Sequence, residues 1–181
     1  LIHTVRRKEN GKLYALKQVK KGDLSRRKRK MLERERNSLI ELNCPFIVPL
    51  RWIFQTVRTC DYVFSKIFFG KKANFCYFVL DFVPCGDLHH VLEMKKRLTE
   101  AETKFFICEA ILGLNAIHTN NFLYRDLKVK ATLHCSSFDH YLKPENLLLT
   151  LEGHVQITDF GLVKKVNNIH DPNYSQCGTL E

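Results

Sequence analysis

The sequence lacks a long hydrophobic run, paired cysteines and any repeat or low-complexity segment. Its longest apolar stretches, such as residues 75–83, are far shorter than the roughly 20 residues that span a bilayer, so we predict no membrane span. No basic and apolar leader opens the chain, which argues against secretion. The seven cysteines form no Cys-x-x-Cys pair, which argues against a disulfide framework or a zinc site. We therefore predict reduced thiols in a cytoplasmic protein, with the nucleus as a second location.

The composition is that of a globular domain, with 45% apolar and 27% charged residues in a chain of 181. Because the chain starts at Leu1 and not at methionine, we interpret it as a fragment or an incomplete gene model. The net charge is +10, and the densest basic run is Arg-Arg-Lys-Arg-Lys at residues 26–30. This run enters a stretch of helical spacing and contains no aromatic residues for base stacking, so it predicts a solvated helix face. Nucleic acid is accordingly the last of the partners that we consider.

Lys17 lies on the apolar side of a predicted strand, residues 13–19, which follows a tight turn at residues 9–12. An unpaired buried ammonium is costly, so Lys17 either reaches solvent from the strand edge or is kept inside for a phosphate and a carboxylate. A helix is predicted at residues 27–42, and its spacing puts Glu35 on the inward stripe. Glu35 is either a solvated charge or the ion-pair partner of Lys17.

Further strands are predicted at residues 46–54 and 75–83, and the segment between them is long for a hairpin connection. A linker at residues 84–87 leads to a short helix. Thr99 then opens a capping box for a long helix that reaches about His118. The buried stripe of the long helix is predicted to contain Phe105, Cys108, Leu112, Asn115 and Ala116.

A hairpin is predicted from residues 147–149 and 155–157, with its turn at Glu152 and Gly153. Strands dominate the first half of the chain and helices the second. This order predicts an α+β fold of two lobes, residues 1–83 and residues 84–181.

Three short motifs then indicate the chemistry: Tyr-Arg-Asp-Leu-Lys at 124–128, Pro-Glu-Asn at 144–146 and Thr-Asp-Phe-Gly at 158–161. With them occur Asn-Cys-Pro-Phe at 43–46 and Cys-Gly-Thr at 177–179. In this order the motifs resemble a serine/threonine protein kinase of the AGC class, close to ribosomal-protein kinases and serum-and-glucocorticoid-regulated kinases. The resemblance implies a bilobal kinase fold with an antiparallel sheet in the first lobe and a helical second lobe, here incomplete.

The resemblance also implies ATP and Mg²⁺ as cofactors. Lys17 would hold the nucleotide phosphates and pair with Glu35, while Asp126 would handle the proton of the substrate hydroxyl. Asn146 and Asp159 would bind Mg²⁺. The remaining nucleotide contacts would come from Ile2, Ala15, Asp81, Val83, Asp87, Leu148 and Thr158.

One lysine of the catalytic loop would contact the γ-phosphate, and two residues compete for that role, Lys128 and Lys143, because Leu-Lys occurs twice. The resemblance further implies protein substrates with basic residues near the target Ser or Thr, bound through Asp87 and Glu145. Ser175 occupies the position at which an upstream activating kinase would phosphorylate the chain.

Departures from the family pattern lead us to expect impaired transfer from this chain. The glycine-rich phosphate loop is missing, and the sequence stops at Glu181, before the rest of the helical lobe. Residues 57–72 and 129–143 have no counterpart in the pattern, and each begins with valine, whose codons start like a common intron. We therefore interpret them as unspliced introns. The alternative function is a pseudokinase, a nucleotide-binding interaction module.

The second insert is the more consequential one, because it falls inside the catalytic loop. It separates Asp126 from Asn146 by 146 − 126 = 20 positions, where the family has five. Misplacing a catalytic group by about 1 Å can cost about 10²-fold in rate, so we expect the insert to disturb the site.

Overall fold

The computed structural model describes residues 1–22, 24–56, 74–129 and 140–166. The strands and helices of this part follow in chain order: β1 Ile2–Arg6, β2 Leu13–Lys20, α1 Arg26–Glu41, β3 Leu50–Thr56, β4 Phe75–Asp81, α2 Leu88–Lys95, α3 Glu100–Thr119, β5 Phe122–Leu123, β6 Leu127–Val129, β7 His140–Leu142, β8 Leu147–Leu149, β9 Val155–Ile157 and β10 Lys164–Lys165. A 3₁₀ turn, Pro144–Asn146, lies between β7 and β8. The predicted α+β class is confirmed.

An antiparallel sheet of order β1-β2-β4-β3 forms the first half of the fold. Within it, β2 lies between β1 and β4, and Lys17 stands opposite Phe78. The loop between β1 and β2 turns at Gly11, whose φ of 70° suits glycine. The alternation predicted from the sequence therefore holds. It places Ala15 and Lys17 on the same face of the sheet, where both line a cavity.

The strand predicted at residues 46–54 begins only at Leu50. The preceding residue, Pro49, has no N–H for a ladder. Residues 46–48 instead bond to the β8–β9 hairpin: Ile157 N–H donates to Phe46 O (2.8 Å), and Val48 N–H donates to Ile157 O (3.0 Å). This segment thus ties the sheet to β9, a pairing that local sequence patterns do not reveal.

Helix α1 packs its inward stripe beneath the sheet, as its periodicity predicted. Ser25 caps its N-terminus by accepting the N–H of Lys28. Glu35 and Leu39 are buried on the inward face. The basic residues of its first turns are exposed. The predicted solvated basic face is therefore confirmed.

Helix α3 begins at the predicted capping box, in which Thr99 and Glu102 satisfy each other's backbone N–H groups. Its predicted buried stripe is wrong. Phe105, Cys108, Leu112 and Asn115 are exposed and Ala116 is only half-buried. The buried face consists of Glu109, Ala110, Gly113 and Ile117.

Close packing against β9 selects this other face of α3. A Cβ at Gly113 would lie 2.7 Å from Ile157 Cδ1, so only glycine lets the helix approach so closely. Glu109 accepts the N–H of Val155 (2.8 Å) and contacts His154 Nδ1 (2.6 Å). A glycine and a hydrogen-bonded carboxylate thus fill places that large apolar side chains were expected to fill.

Strands β8 and β9 pair as the predicted hairpin, with Gly153 at a φ of 85° in the turn. A second hairpin, β6–β7, pairs Leu127 with Leu142 and Val129 with His140. No helix in the described ranges combines the length and the apolar character needed to cross a bilayer.

Candidate active site

A cavity of ≈ 780 Å³ opens between the face of the sheet that carries Ala15 and Lys17 and the loops that follow β7 and β9. This volume is typical of small-molecule sites, which span about 300–1,000 Å³. Its walls include every predicted nucleotide-binding residue except Asp87: Ile2, Ala15, Lys17, Glu35, Asp81, Val83, Leu148, Thr158 and Asp159. Glu145 and Asn146 also line it. The fold therefore gathers most of the predicted nucleotide-binding set around one space.

Lys17 and Glu35 form an ion pair, with 2.5 Å between Lys17 Nζ and Glu35 Oε1. The Glu35 side chain is 7% exposed and that of Lys17 is 24% exposed. Lys17 Nζ also lies 3.8 Å from Asp159 Oδ1, and the Asp159 side chain is 55% exposed. Of the alternatives left open for Lys17 and Glu35, the structure thus gives the paired one. The ammonium is held at the cavity wall beside two carboxylates.

Asp126 forms the centre of a second polar cluster. Its Oδ1 accepts from Lys143 Nζ (2.6 Å), and its Oδ2 accepts from Asn146 Nδ2 (2.7 Å). The side chains of Asp126 and Lys143 are 8% and 19% exposed, respectively. Charge-assisted hydrogen bonds between such partly buried groups hold the side chains in defined positions.

The β6–β7 hairpin explains how this cluster survives the insertion. Leu127 pairs with Leu142, so the residues just outside the pair, Asp126 and Lys143, emerge side by side. The 3₁₀ turn then begins at once, with Asn146 N–H donating to Lys143 O (2.9 Å). The added residues therefore leave and re-enter the loop at one place. Asp126 and Asn146 are thus in direct contact despite the insertion, and the expected effect of the insertion on transfer stays a prediction.

Tyr124 ties this cluster to the loop that carries Asp159. Its hydroxyl donates to Thr158 O (2.6 Å), and its ring packs edge-on against Phe160 at 5.7 Å between centroids. Burial, reinforced by the charges of Asp126 and Asp159, raises the pKa of the Tyr124 hydroxyl well above its ordinary value. The hydroxyl stays protonated and remains a donor. The sequence motif pointed to this residue, but the bond to Thr158 required the fold.

The linker after β4 places its two predicted acidic residues differently. Asp81 lines the cavity, while its carboxylate accepts from Arg51 Nε (2.8 Å). Asp87 caps α2, with its Oδ1 accepting from His90 N–H (2.9 Å). Its backbone bridges to Leu148 at the cavity wall. The structure thus puts Asp87 next to the cavity lining and not in it.

Sequence reasoning missed some of the apolar residues that line the cavity. Leu80 and Leu24 line the cavity, and only the register of β4 and the packing of the chain before α1 bring them there. Arg125 has a φ of 57° and donates from Nε to Leu162 O (2.9 Å), which fixes the chain after Phe160.

Some predicted residues cannot be placed. Ser175, the segment 57–72 and the motif at 177–179 lie outside the described residues. Lys128 lies in β6, opposite Tyr141, and its backbone alone is described. Glu145 is exposed at the cavity, where it follows Pro144 in the 3₁₀ turn.

Two side chains of the cavity offer oxygen donors that could bind a magnesium ion, those of Asn146 and Asp159. In the described ranges, no group of three or more His, Cys, Asp or Glu side chains could hold a metal. Mg²⁺ commonly takes one or two protein oxygens and completes its shell with waters and phosphate oxygens. Asp159 supplies an exposed carboxylate, and Asn146 points its amide nitrogen at Asp126, which turns its amide oxygen away. These donors fit Mg²⁺ that arrives with a phosphate ligand.

Comparison with known proteins gives a consistent result. Residues 2–181 match the protein kinase domain family. The chain is 38% identical over 181 residues to ribosomal protein S6 kinase alpha-1 of Rattus norvegicus, a match that covers 100% of this chain and 20% of that protein. Ribosomal protein S6 kinase alpha-2 of Homo sapiens is also 38% identical, with the same coverage. The putative ribosomal protein S6 kinase alpha-1 of Caenorhabditis elegans is 36% identical, with 19% of it covered. The chain thus spans about one-fifth of the length of these relatives.

Proposed function

Because the chain belongs to the protein kinase domain family, we propose that it transfers the γ-phosphoryl group of ATP to serine or threonine hydroxyls of protein substrates. The serine/threonine assignment rests on the motifs and on the similarity to ribosomal protein S6 kinases. The observation that carries the proposal is that Lys17, Glu35, Asn146 and Asp159 all line one cavity of nucleotide size.

The proposed reaction is an in-line displacement at phosphorus. The substrate hydroxyl oxygen forms a bond to the γ-phosphorus while the bond from that phosphorus to the β,γ-bridging oxygen breaks. ADP leaves with the electron pair of the broken bond. The hydroxyl proton passes to the carboxylate of Asp126, which is buried and held by two hydrogen bonds. Positioning and charge stabilisation supply most of the rate in such reactions.

The remaining residues bind and orient the nucleotide. Lys17 would hold the phosphates, and Glu35 keeps its ammonium at the cavity wall. Asn146 and Asp159 would hold Mg²⁺, which supplies positive charge to the phosphate oxygens when bound. Ile2, Ala15 and Leu148 would contact the adenine, since they give the cavity apolar walls.

A transfer assay tests the proposal. The full chain is incubated with radiolabelled ATP, Mg²⁺ and an Arg-rich peptide that contains one serine. Asp159→Asn removes the carboxylate assigned to Mg²⁺ and should abolish transfer. Glu93→Gln, an exposed change on α2, is the matched control and should leave transfer unchanged. Binding of ATP without transfer would overturn the proposal and favour the nucleotide-binding interaction module.

We further propose that the protein substrates carry basic residues near the target hydroxyl. Glu145 is exposed at the cavity, and α2, which Asp87 caps, packs against the 3₁₀ turn that contains Glu145. These two carboxylates would pair with arginines of a bound peptide. Replacing the arginines of the peptide by alanine should raise KM more than it lowers kcat, because binding is what the pairs provide.

Regulation by an upstream activating kinase is proposed at Ser175, on the resemblance to the family. A phosphate adds about two negative charges and can order a segment through basic partners. The test is to compare the chain with Ser175→Ala after treatment with cell extract and ATP. Phosphate found elsewhere, with none on Ser175, would contradict the assignment.

A further inference from the structure

Strand β3 has an irregularity directly beside the cavity. Leu50 pairs with Leu80, which lines the cavity. The next pair along the ladder is Trp52 with Val79, so Arg51 is an extra residue between the two pairs. Such a β-bulge bends its strand and can re-aim a side chain, and bulges are frequent next to active sites.

The bulge directs Arg51 to the carboxylate of Asp81. Arg51 Nε donates to Asp81 Oδ1 (2.8 Å), and Arg51 Nη2 donates to Asp81 Oδ2. The backbone N–H of Asp81 donates to Pro49 O (3.0 Å). Because a two-pronged contact between arginine and a carboxylate fixes orientation as well as distance, the bulged segment holds both the side chain and the backbone of Asp81.

The Asp81 carboxylate lies on the face of the sheet that points away from the cavity. Asp81 stands opposite Tyr14, and the neighbouring pair is Leu80 with Ala15. Leu80 and Ala15 line the cavity, and successive side chains of a strand point to opposite faces. Lys12 Nζ, which lies 3.8 Å from Asp81 Oδ1, is also 5.4 Å from the centre of the Tyr14 ring. The part of Asp81 that borders the cavity is therefore its backbone.

Residues 80–83 form one continuous edge of the cavity, since all four line it. Ala15 and Leu148 give the same cavity apolar walls, and a flat base lying between them would turn its polar atoms towards an edge of backbone. Strand β4 ends at Asp81, so no strand ladder holds the edge beyond this residue. The contact with Arg51 thus fixes the place from which the edge continues.

We propose that Arg51 is a positioning residue for the nucleotide base. By holding Asp81 from the opposite face of the sheet, it fixes the edge of residues 80–83 against which the base of ATP lies. The inference rests on the proposed function and adds to it a residue that acts through Asp81 without contacting the nucleotide. The Arg51 side chain is 44% exposed, so the effect on binding is modest.

Binding of two ligands that differ in the base tests the inference without requiring transfer. The full chain and Arg51→Met are titrated by calorimetry with Mg²⁺ and a non-hydrolysable ATP analogue, and inorganic triphosphate is measured as its competitor. Arg51→Met should weaken analogue binding about fivefold and triphosphate binding by less than about twofold, because only the analogue has a base. Lys12→Met is the matched control, since it removes a cation that lies near the same carboxylate at 3.8 Å. It should bind both ligands like the parent.

A second variant tests whether Arg51 acts through Asp81. Asp81→Asn should weaken analogue binding to the same extent as Arg51→Met. The double variant should show no further loss, because both changes break one contact. Additive losses would overturn the inference, since Arg51 would then act independently of Asp81.

The outcomes separate this inference from the proposed function. If the parent chain does not bind the analogue, the proposed function fails and the inference fails with it. If the parent binds the analogue and Arg51→Met binds it equally well, only the inference is overturned. Equal losses of analogue and triphosphate affinity in Arg51→Met would also overturn it, because that pattern marks a general disturbance of the cavity.

Discussion

The site brings together two ion pairs that the chain reaches by different routes. Lys17 and Glu35 come from neighbouring elements, β2 and α1, whose own periodicities turn both side chains inward. Asp126 and Lys143 meet across an interruption of the catalytic loop and depend on the β6–β7 pairing. The first pair follows from local pattern, and the second follows from a non-local backbone register.

This difference shows what holds a functional site in place. An insertion harms a site when it moves its ends apart, and pairing of the flanking strands prevents that here. The entropy cost of the longer loop grows only with the logarithm of its length, so geometry matters more than length. The Asp126 cluster should therefore tolerate changes within the insertion but not changes at its root.

Among changes within the two pairs, replacing Asp126 by Asn should have the largest effect. The change keeps the shape of the side chain but removes the proton acceptor, and the rate of phosphoryl transfer should fall about 10³-fold. ATP affinity, measured by calorimetry, should stay close to that of the parent. Transfer at the parental rate would show that the second pair has no part in the chemistry.

Breaking the Lys17–Glu35 pair should have a smaller effect, which bears on both the stability and the rate of transfer. Glu35→Gln removes the carboxylate that faces Lys17, which should lower the free energy of unfolding by about 2 kcal/mol, as expected for a hydrogen bond to a charged group. Transfer should fall by about tenfold because Lys17 loses its orientation. Glu33→Gln, an exposed residue of the same helix, serves as the control in chemical denaturation and in the transfer assay. Equal effects of both changes would contradict a specific role of Glu35.

Gly113→Ala tests the packing of α3 against β9. The added methyl would lie 2.7 Å from Ile157 Cδ1 and 3.1 Å from Phe46 O, and the backbone contact cannot yield as a side chain can. The free energy of unfolding should fall by about 1–2 kcal/mol, despite the better helix propensity of alanine. Asn115→Ala, at an exposed position of α3, is the comparison. A stabilised Gly113→Ala protein would mean that α3 does not approach β9 this closely.

Removing the insertion tests how far the Asp126–Lys143 pair depends on the pairing of β6 with β7. Deleting residues 129–143 leaves the sequence Asp-Leu-Lys-Pro, and deleting residues 128–142 leaves the same sequence. The shortened chain should be more stable by about 1 kcal/mol, the loop-closure cost of the added length. Transfer should change by less than about threefold if the root already holds the catalytic geometry. A much larger gain in rate would show that the insertion does disturb the site.

The smallest effect is expected outside both pairs, at the start of α3. Hydrogen bonds from Lys95, then from Thr99, lower the pKa of Glu102 to about 2. Because this pKa lies below the ordinary value of 4.5, the charged carboxylate contributes stability above pH 4.5 and loses it as the pH falls towards 2. The midpoint temperature of thermal unfolding should therefore fall less steeply between pH 7 and pH 3 in Glu102→Gln than in the parent protein. Parallel curves for the two proteins would contradict this.

Local patterns in the sequence predicted the parts of the fold that local forces determine. The alternation around Lys17, the stripe that contains Glu35 and the capping box at Thr99 all appear as predicted. The resemblance to a known family also implied residues that line the cavity, among them Ile2, Ala15 and Leu148.

The errors have tertiary causes. The α3 stripe was read from large apolar residues, whereas close approach to Ile157 selects Gly113, and hydrogen bonding to Val155 selects Glu109. The strand at residues 46–54 was read as continuous, yet Phe46 bonds to Ile157 and not within the sheet. The closeness of Asp126 and Lys143 depends on a register between strands, which neither composition nor spacing encodes.

The pairing of β6 with β7 also makes this loop a suitable place to introduce a foreign peptide. A reporter peptide could replace the sequence between Val129 and His140, since their pairing would still join the two ends. Such a peptide would be anchored only a few residues from Asp126. A fluorophore carried there could report on nucleotide arrival from within the loop, while Lys143 and Asn146 keep their hold on the carboxylate.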